Sequence, residues 1–197
     1  EQMTRELARS SRYREEVDAW SIVNNAFSTS FAGFDASKSL CSTSHVGLDG
    51  TTRANRPSVD IGLSVTAIQG MVTRFRRMTN QRGLPMNMAP AMLIIAPEQL
   101  FTAREVLGSS GAPYKTDNEI NSVVPEGLRY FSTPYKTSTT SWLALAKKGE
   151  HDLNFMYRDR PMFDSWDDPT TKNAVFSVYQ RHTQGYGSYF GVDGSSG

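Results

Sequence analysis

Long apolar runs, cysteine and an excess of one charge are all scarce in this sequence, and each scarcity removes a class of function. No stretch approaches the roughly 18 apolar residues that a membrane-spanning helix needs, and the opening residues lack the apolar centre of a secretion signal. No membrane partner is expected. Cys41 is the only cysteine, which excludes an intrachain disulfide framework and fits a reducing compartment. Lys and Arg number 21 against 20 Asp and Glu, a formal net charge of +1. That balance leaves no whole-chain positive field of the kind that holds nucleic acid by counterion release.

What remains is the composition of an ordinary globular protein, 38% hydrophobic and 21% charged over 197 residues. Such a length buries a substantial core without help from metals, as one domain or two small ones. Tyr13, Val17, Trp20, Val23 and Phe27 recur at helical spacing and predict one long amphipathic helix ending near Ser28. Arg12 with Glu16 and Arg14 with Asp18 can pair on its surface. Because this helix-like pattern is already present at Glu1, an upstream portion is expected to precede it.

Residues 28–57 are rich in Ser, Thr, Gly and Asp and read as an extended connection with few strands. A second helix is predicted with Asp60 as its cap, Ile61, Ile68, Met71, Val72, Phe75 and Met78 on its face, and Gly83 as its stop. The run 91–96, between Pro90 and Pro97, predicts a buried strand. A helix bearing Leu100, Ala103 and Leu107 should follow and end at Gly108. The stretch 108–118 reads as a mobile loop. Two β-like runs on either side of Thr137–Thr140 suggest a hairpin, and the alternation in 153–158 and 174–182 predicts further antiparallel strands. Disorder is expected beyond Val192.

Chemistry-bearing patterns are weak. His45, His151 and His182 sit at no metal-binding interval. Cys41 with His45 can be read as a thiol nucleophile and its base, but a small buried thiol is the plainer reading. Gly185, Gly187 and Gly191 lack the strand and helix that a phosphate loop requires, and suggest a turn pinned by Tyr186, Tyr189 and Phe190. Asp159, Asp164, Asp167 and Asp168 can hold a cation, yet Arg158 and Arg160 among them favour salt bridges. Arg74, Arg76, Arg77 and Arg82 spread around more than one helix face and read as mostly solvated, with an intersubunit or nucleic-acid contact as the alternative. No catalytic, cofactor-binding or metal residue is assigned, and no cofactor is expected.

Five segments in order resemble the major capsid proteins of tailed phages, in particular the Mu-like major head subunit family. They are VNNAFSTSFAGFDASKSLCSTSH, QRGLPMNMAPAMLIIAPEQLFTAREVL, NEINSVVPEGLRYFSTPYKTSTTSWLALA with Lys136 where leucine is common, RDRPMFDSWDDPTT, and AVFSVYQRHTQGYGSYFGVDGS. The resemblance implies an α+β Hong Kong 97-type capsid fold, with a long spine helix, a peripheral antiparallel sheet and an inserted axial α/β domain. Mapped here, residues 1–38 plus 149–197 form a discontinuous peripheral domain and residues 39–148 the axial domain. The family's N-terminal arm and extended loop would lie upstream of Glu1.

The function so implied is structural and not enzymatic: a head subunit that self-assembles into an icosahedral or prolate shell around the phage genome. Partners would be copies of itself in pentamers and hexamers, scaffolding and portal proteins, and packaged DNA touched without sequence reading on the shell interior. Localisation would be the virion, after assembly in the host bacterial cytoplasm. Arg158, Asp159 and Arg160 are the candidate subunit contacts, because a strand carrying both charge signs can pair with a symmetry mate. The alternatives are an encapsulin-like compartment shell, a Cys/His hydrolase and a nucleic-acid-binding module. Two further expectations are that Tyr13, Trp20 and Phe27 face the peripheral sheet and that the loop 108–118 is mobile outside a capsomer.

Overall fold

The computed structural model describes residues 2–31, 37–111 and 120–197. The amphipathic pattern at the start forms helix α1 (Gln2–Asn24). Among the described residues, the polar connection after it carries the short paired strands β1 (His45–Val46) and β2 (Thr52–Arg53). Helix α2 (Val65–Arg76), strand β3 (Pro90–Ile95), a 3-10 turn (Pro97–Gln99) and helix α3 (Leu100–Gly108) come next. Strands β4 (Arg129–Ser132), β5 (Trp142–Ala146), β6 (Leu153–Asp167), β7 (Ala174–Tyr186) and β8 (Val192–Ser195) complete the chain. The class is α+β, as expected.

The core is built on a four-stranded sheet in the order β4-β3-β5-β8. Its central strands are apolar on both faces, because both faces are covered. Leu93, Ile95, Trp142, Ala144 and Ala146 point to one side, against Ile68, Met71 and Phe75 of α2 and Ala103 and Val106 of α3. Ile94, Leu143, Leu145 and Val192 point to the other, against Ile22, Val23 and Ala26 at the end of α1, with Leu40, Cys41 and Tyr189. The run between Pro90 and Pro97 is thus the buried strand its composition predicts.

Several expectations are corrected by longer-range contacts. The runs around Thr137–Thr140 do form strands, but not a hairpin: β4 pairs parallel to β3, and β5 pairs antiparallel to the opposite edge of β3, so β3 lies between them. The tail beyond Val192 is not disordered. It forms β8, a buried edge strand antiparallel to β5. Asp60 does not cap α2: Ser64 does, its hydroxyl accepting from the Ala67 amide at 3.2 Å, while Asp60 binds Arg56 and Ser196. The helix stops at Arg76, and Gly83, with φ of 83°, serves a turn closed by the Thr79–Pro85 bridge. Arg74 is not solvated; Nε and Nη2 each donate at 2.7 Å to the carboxylate of Asp193.

The face that α1 turns to the long strands also differs from expectation. Ser11 Oγ donates to Gln180 at 3.0 Å, Asp18 meets His182 Nε2 at 3.0 Å, and Gln184 Nε2 donates to Ser21 Oγ at 3.1 Å, so the seam with β7 is polar. Trp20 instead stacks on Phe131 of β4 with ring centroids 5.8 Å apart. Tyr13 is exposed and its ring lies beside Tyr135, and Phe27 packs with the core on the α1 side of the sheet, under the Arg56 guanidinium. The aromatic residues stabilise α1 against the four-stranded sheet, while hydrogen bonds hold it to β7.

Candidate subunit interface

Strands β6 and β7 pair only with each other, in a ribbon far longer than any other strand pair among the described residues. At its base the ribbon is seated. Leu153 and Tyr186 pack against the core on the α1 side of the sheet, and the α1 seam covers β7 from Gln180 to Gln184. Register shifts fall between Tyr157 and Asp159 and between Asp159 and Met162, and such bulges turn a strand out of its plane. Beyond them the ribbon continues to Asp167 and Ala174, where Asp168 closes the turn by accepting from the Thr170 amide and the Thr171 hydroxyl.

Register decides which side chains share a face in this outer half. Met162 lies opposite Tyr179 and Trp166 opposite Val175 on one face; Phe163 lies opposite Val178 and Phe176 opposite Ser165 on the other. Trp166 is 50% exposed and Phe163 52% exposed, and Met162, Phe176 and Tyr179 are similarly bare. An ordinary solvated strand alternates apolar and polar faces, but this segment places large apolar groups on both. With roughly 100 Å² left bare on each half-covered aromatic, the outer ribbon presents on the order of 500 Å². Divided between two faces, that is a substantial fraction of one partner's share of a standard interface, about 800 Å².

Arg158, Asp159 and Arg160 sit at the bulges, where the ribbon departs from α1. Asp159 is partly covered and accepts from Tyr179 Oη at 3.5 Å, and the Arg160 guanidinium lies 6.0 Å from the Tyr157 ring. Arg158 is exposed. The strongest signal in this region was missed by sequence reasoning, which weighed its charges and not its aromatics. Adjacent apolar residues such as Met162 and Phe163 indicate two covered faces, and a two-stranded ribbon has nothing of its own to cover them.

The other sequence-derived candidates do not converge. Cys41 is buried, and burial holds its thiol well above the usual value, the opposite of an activated nucleophile. His45 Nε2 lies 3.0 Å from Asn55 Oδ1 and its ring stacks on Tyr189 with centroids 3.8 Å apart. Asn55 also accepts from the Ser42 amide and donates to the carbonyls of Leu40 and Val192, so His45 is part of a structural hydrogen-bond hub. His182 is bound to Asp18, and His151 accepts at 3.4 Å from the Leu153 amide. Asp164 and Asp167 fall on opposite faces of the ribbon. No group of His, Cys, Asp and Glu fit to hold a metal occurs among the described residues. Gly185 is paired within β7, while Gly187 to Gly191 form the turn between β7 and β8, with Tyr189 against Phe190 as the aromatic pin. Most of the loop 108–118 lies outside the described residues.

Lys136, the departure from the resembled pattern, is buried, and its Nζ donates to Ser141 Oγ at 2.6 Å. Burial lowers its pKa to about 8. Asp193 is the residue most completely missed. It is fully buried on the edge strand, and burial raises its pKa to about 6 against the pull of Arg74.

Comparison with known proteins gives one family. A model described as phage capsid protein matches residues 1–192, nearly the whole chain. No curated protein matches.

Proposed function

This chain belongs to the phage capsid protein family and is a subunit of a capsid shell; from that premise we propose that copies join through the outer half of the β6–β7 ribbon. The observation that carries the reading is the placement of large apolar side chains on both faces of a ribbon that the chain itself leaves uncovered. A two-stranded ribbon is at best marginally stable alone in water, and burying these faces in neighbouring copies would supply the missing third layer. Arg158, Asp159 and Arg160, at the point where the ribbon leaves α1, would set register between copies through paired charges.

The finer assignment follows the resemblance. The chain would be a major head subunit of the Mu-like kind with a Hong Kong 97-type fold. Residues 1–38 plus 149–197 would form the peripheral domain and 39–148 the axial one, with β8 tying the last segment into the axial sheet. Pentamers and hexamers would close by symmetry, each contact modest and the shell stabilised by their number. Scaffolding and portal proteins would take part, assembly would occur in the host bacterial cytoplasm, and packaged DNA would be touched through its backbone only. The family implies a structural role, so no catalytic step is required of any residue.

The test is assembly of a Phe163→Asp, Trp166→Asp variant, followed by sedimentation and negative-stain electron microscopy beside the unsubstituted protein. A folded variant that no longer forms the particles made by the unsubstituted chain is the expected result. Particles of unchanged size and yield would overturn the proposed interface.

A further inference from the structure

A cleft of about 230 Å³ lies between the end of α2, strand β2 and the turn before β8, lined by Arg53, Thr73, Arg74, Arg77, Thr79 and Tyr189 among others. Three guanidinium groups from two separate segments meet there, and no carboxylate is among the lining residues. Two of the three are held rigid from behind. Arg53 donates from Nη1 and Nη2 to Asp49 at 2.9 and 2.6 Å and from Nε to Thr79 Oγ1 at 2.6 Å. Arg74 gives Nε and Nη2 to the buried Asp193, and Nη1 has no hydrogen bond among the described residues. Arg77 is exposed and has no ion pair or side-chain hydrogen bond among the described residues.

Tyr189 adds a second kind of group. Its ring is fixed by the stack on His45, and its hydroxyl is buried with no hydrogen-bond partner among the described residues. A buried hydroxyl left unsatisfied is costly and calls for an explanation. Basic residues at the end of a helix complement its dipole, which accounts for Arg74, Arg76 and Arg77. It does not account for Arg53 arriving from β2 or for Tyr189 arriving from the far end of the chain.

We propose that this cleft binds a phosphate group, gripped by Arg77, faced by the fixed guanidiniums of Arg74 and Arg53, and bounded by the Tyr189 hydroxyl. Guanidinium forks and hydroxyl donors are the groups that suit a tetrahedral oxyanion. The phosphate can be free or belong to a nucleic-acid backbone; only the second source rests on the shell reading.

The experiment is calorimetric titration of the full chain with sodium phosphate, against sodium chloride at equal ionic strength. Arg77→Gln and Tyr189→Phe are the test variants, and Arg76→Gln, which loses only the pair with Glu126 outside the cleft, is the control. Saturable phosphate binding is expected, weakened about tenfold by Arg77→Gln, as suits loss of a charge-assisted hydrogen bond, less by Tyr189→Phe, and unchanged by Arg76→Gln. A short DNA duplex then separates the sources: binding that Arg77→Gln weakens identifies the backbone, and phosphate binding without duplex binding identifies the free ion. No saturable phosphate binding, or equal affinity in all four proteins, overturns the proposal. Because the titration needs no assembled particle, its failure is distinct from a failure of the interface reading.

Discussion

The four-stranded block and the β6–β7 ribbon are built from similarly apolar strands, yet one is finished within the chain and the other is not. In the block, Leu93 and Ile94 or Leu143 and Ala144 alternate between two faces that α2, α3 and the end of α1 cover. In the ribbon, Met162 and Phe163 alternate in the same way, and both remain about half exposed. The difference lies in topology and not in residue type. The block has helices connected on either side of it, whereas the outer ribbon extends past α1, the helix packed on its base.

That contrast predicts opposite consequences for two tryptophans. Trp142→Ala should destabilise the isolated chain by about 3–5 kcal/mol, because the ring is fully buried and its indole donates to the Ile61 carbonyl. Trp166→Ala should change stability by less than about 0.5 kcal/mol while impairing assembly. Urea unfolding of both variants checks this, and equal losses would erase the distinction between block and ribbon.

Inside the block, Asp193 gives a pH test. Its folded pKa, about 6, lies above the usual 3.8, so between these values the folded chain binds a proton that the unfolded chain does not. Stability should therefore rise as pH falls from 7 through 6 towards 4, by on the order of 2–3 kcal/mol. Asp49 and Asp60, whose pKa values are lowered by their arginines, oppose this only below the ordinary carboxylate range. Asp193→Asn should flatten the profile; an unchanged slope in that variant would assign it to another group.

Lys136 sharpens the comparison from the other side, as a charge inside the block where resembled sequences carry leucine. Lys136→Leu should raise stability at pH 7 by about 1 kcal/mol, since a hydrophobic replacement avoids the cost of burying the ammonium. It should also remove the gain that the unsubstituted chain shows as pH rises through 8, where the buried amine loses its proton. The smallest effect is expected at the seam joining the two regions: Ser11→Ala, which removes one hydrogen bond to Gln180, should cost about 1 kcal/mol or less in thermal unfolding.

How much of this was legible in the sequence follows from the range of the interactions. The run between Pro90 and Pro97, the long opening helix and the alternation in β6 and β7 are local patterns, and each formed the expected element. The tail failed because its Ser and Gly content reads as disorder, while the requirement for those residues is non-local. A Cβ on Gly194 would come within 2.8 Å of Leu143 Cδ1 and the Trp142 carbonyl, and Asp193 depends on Arg74 in a distant helix. Pairing order in the sheet was hidden for the same reason: the spacing between β4 and β5 says nothing about a third strand lying between them. Sequence reading placed the candidate interface on its charges and overlooked its aromatics, because exposed apolar groups become informative only once it is known that none of the described residues covers them.

Hydrogen exchange compared between the isolated chain and assembled particles tests the central claim most directly. Amides from 162 to 179 should exchange quickly in the isolated chain and become strongly protected on assembly, while those of β3 and β5 stay protected in both states. Equal, rapid exchange of 162–179 in particle and isolated chain would contradict the account.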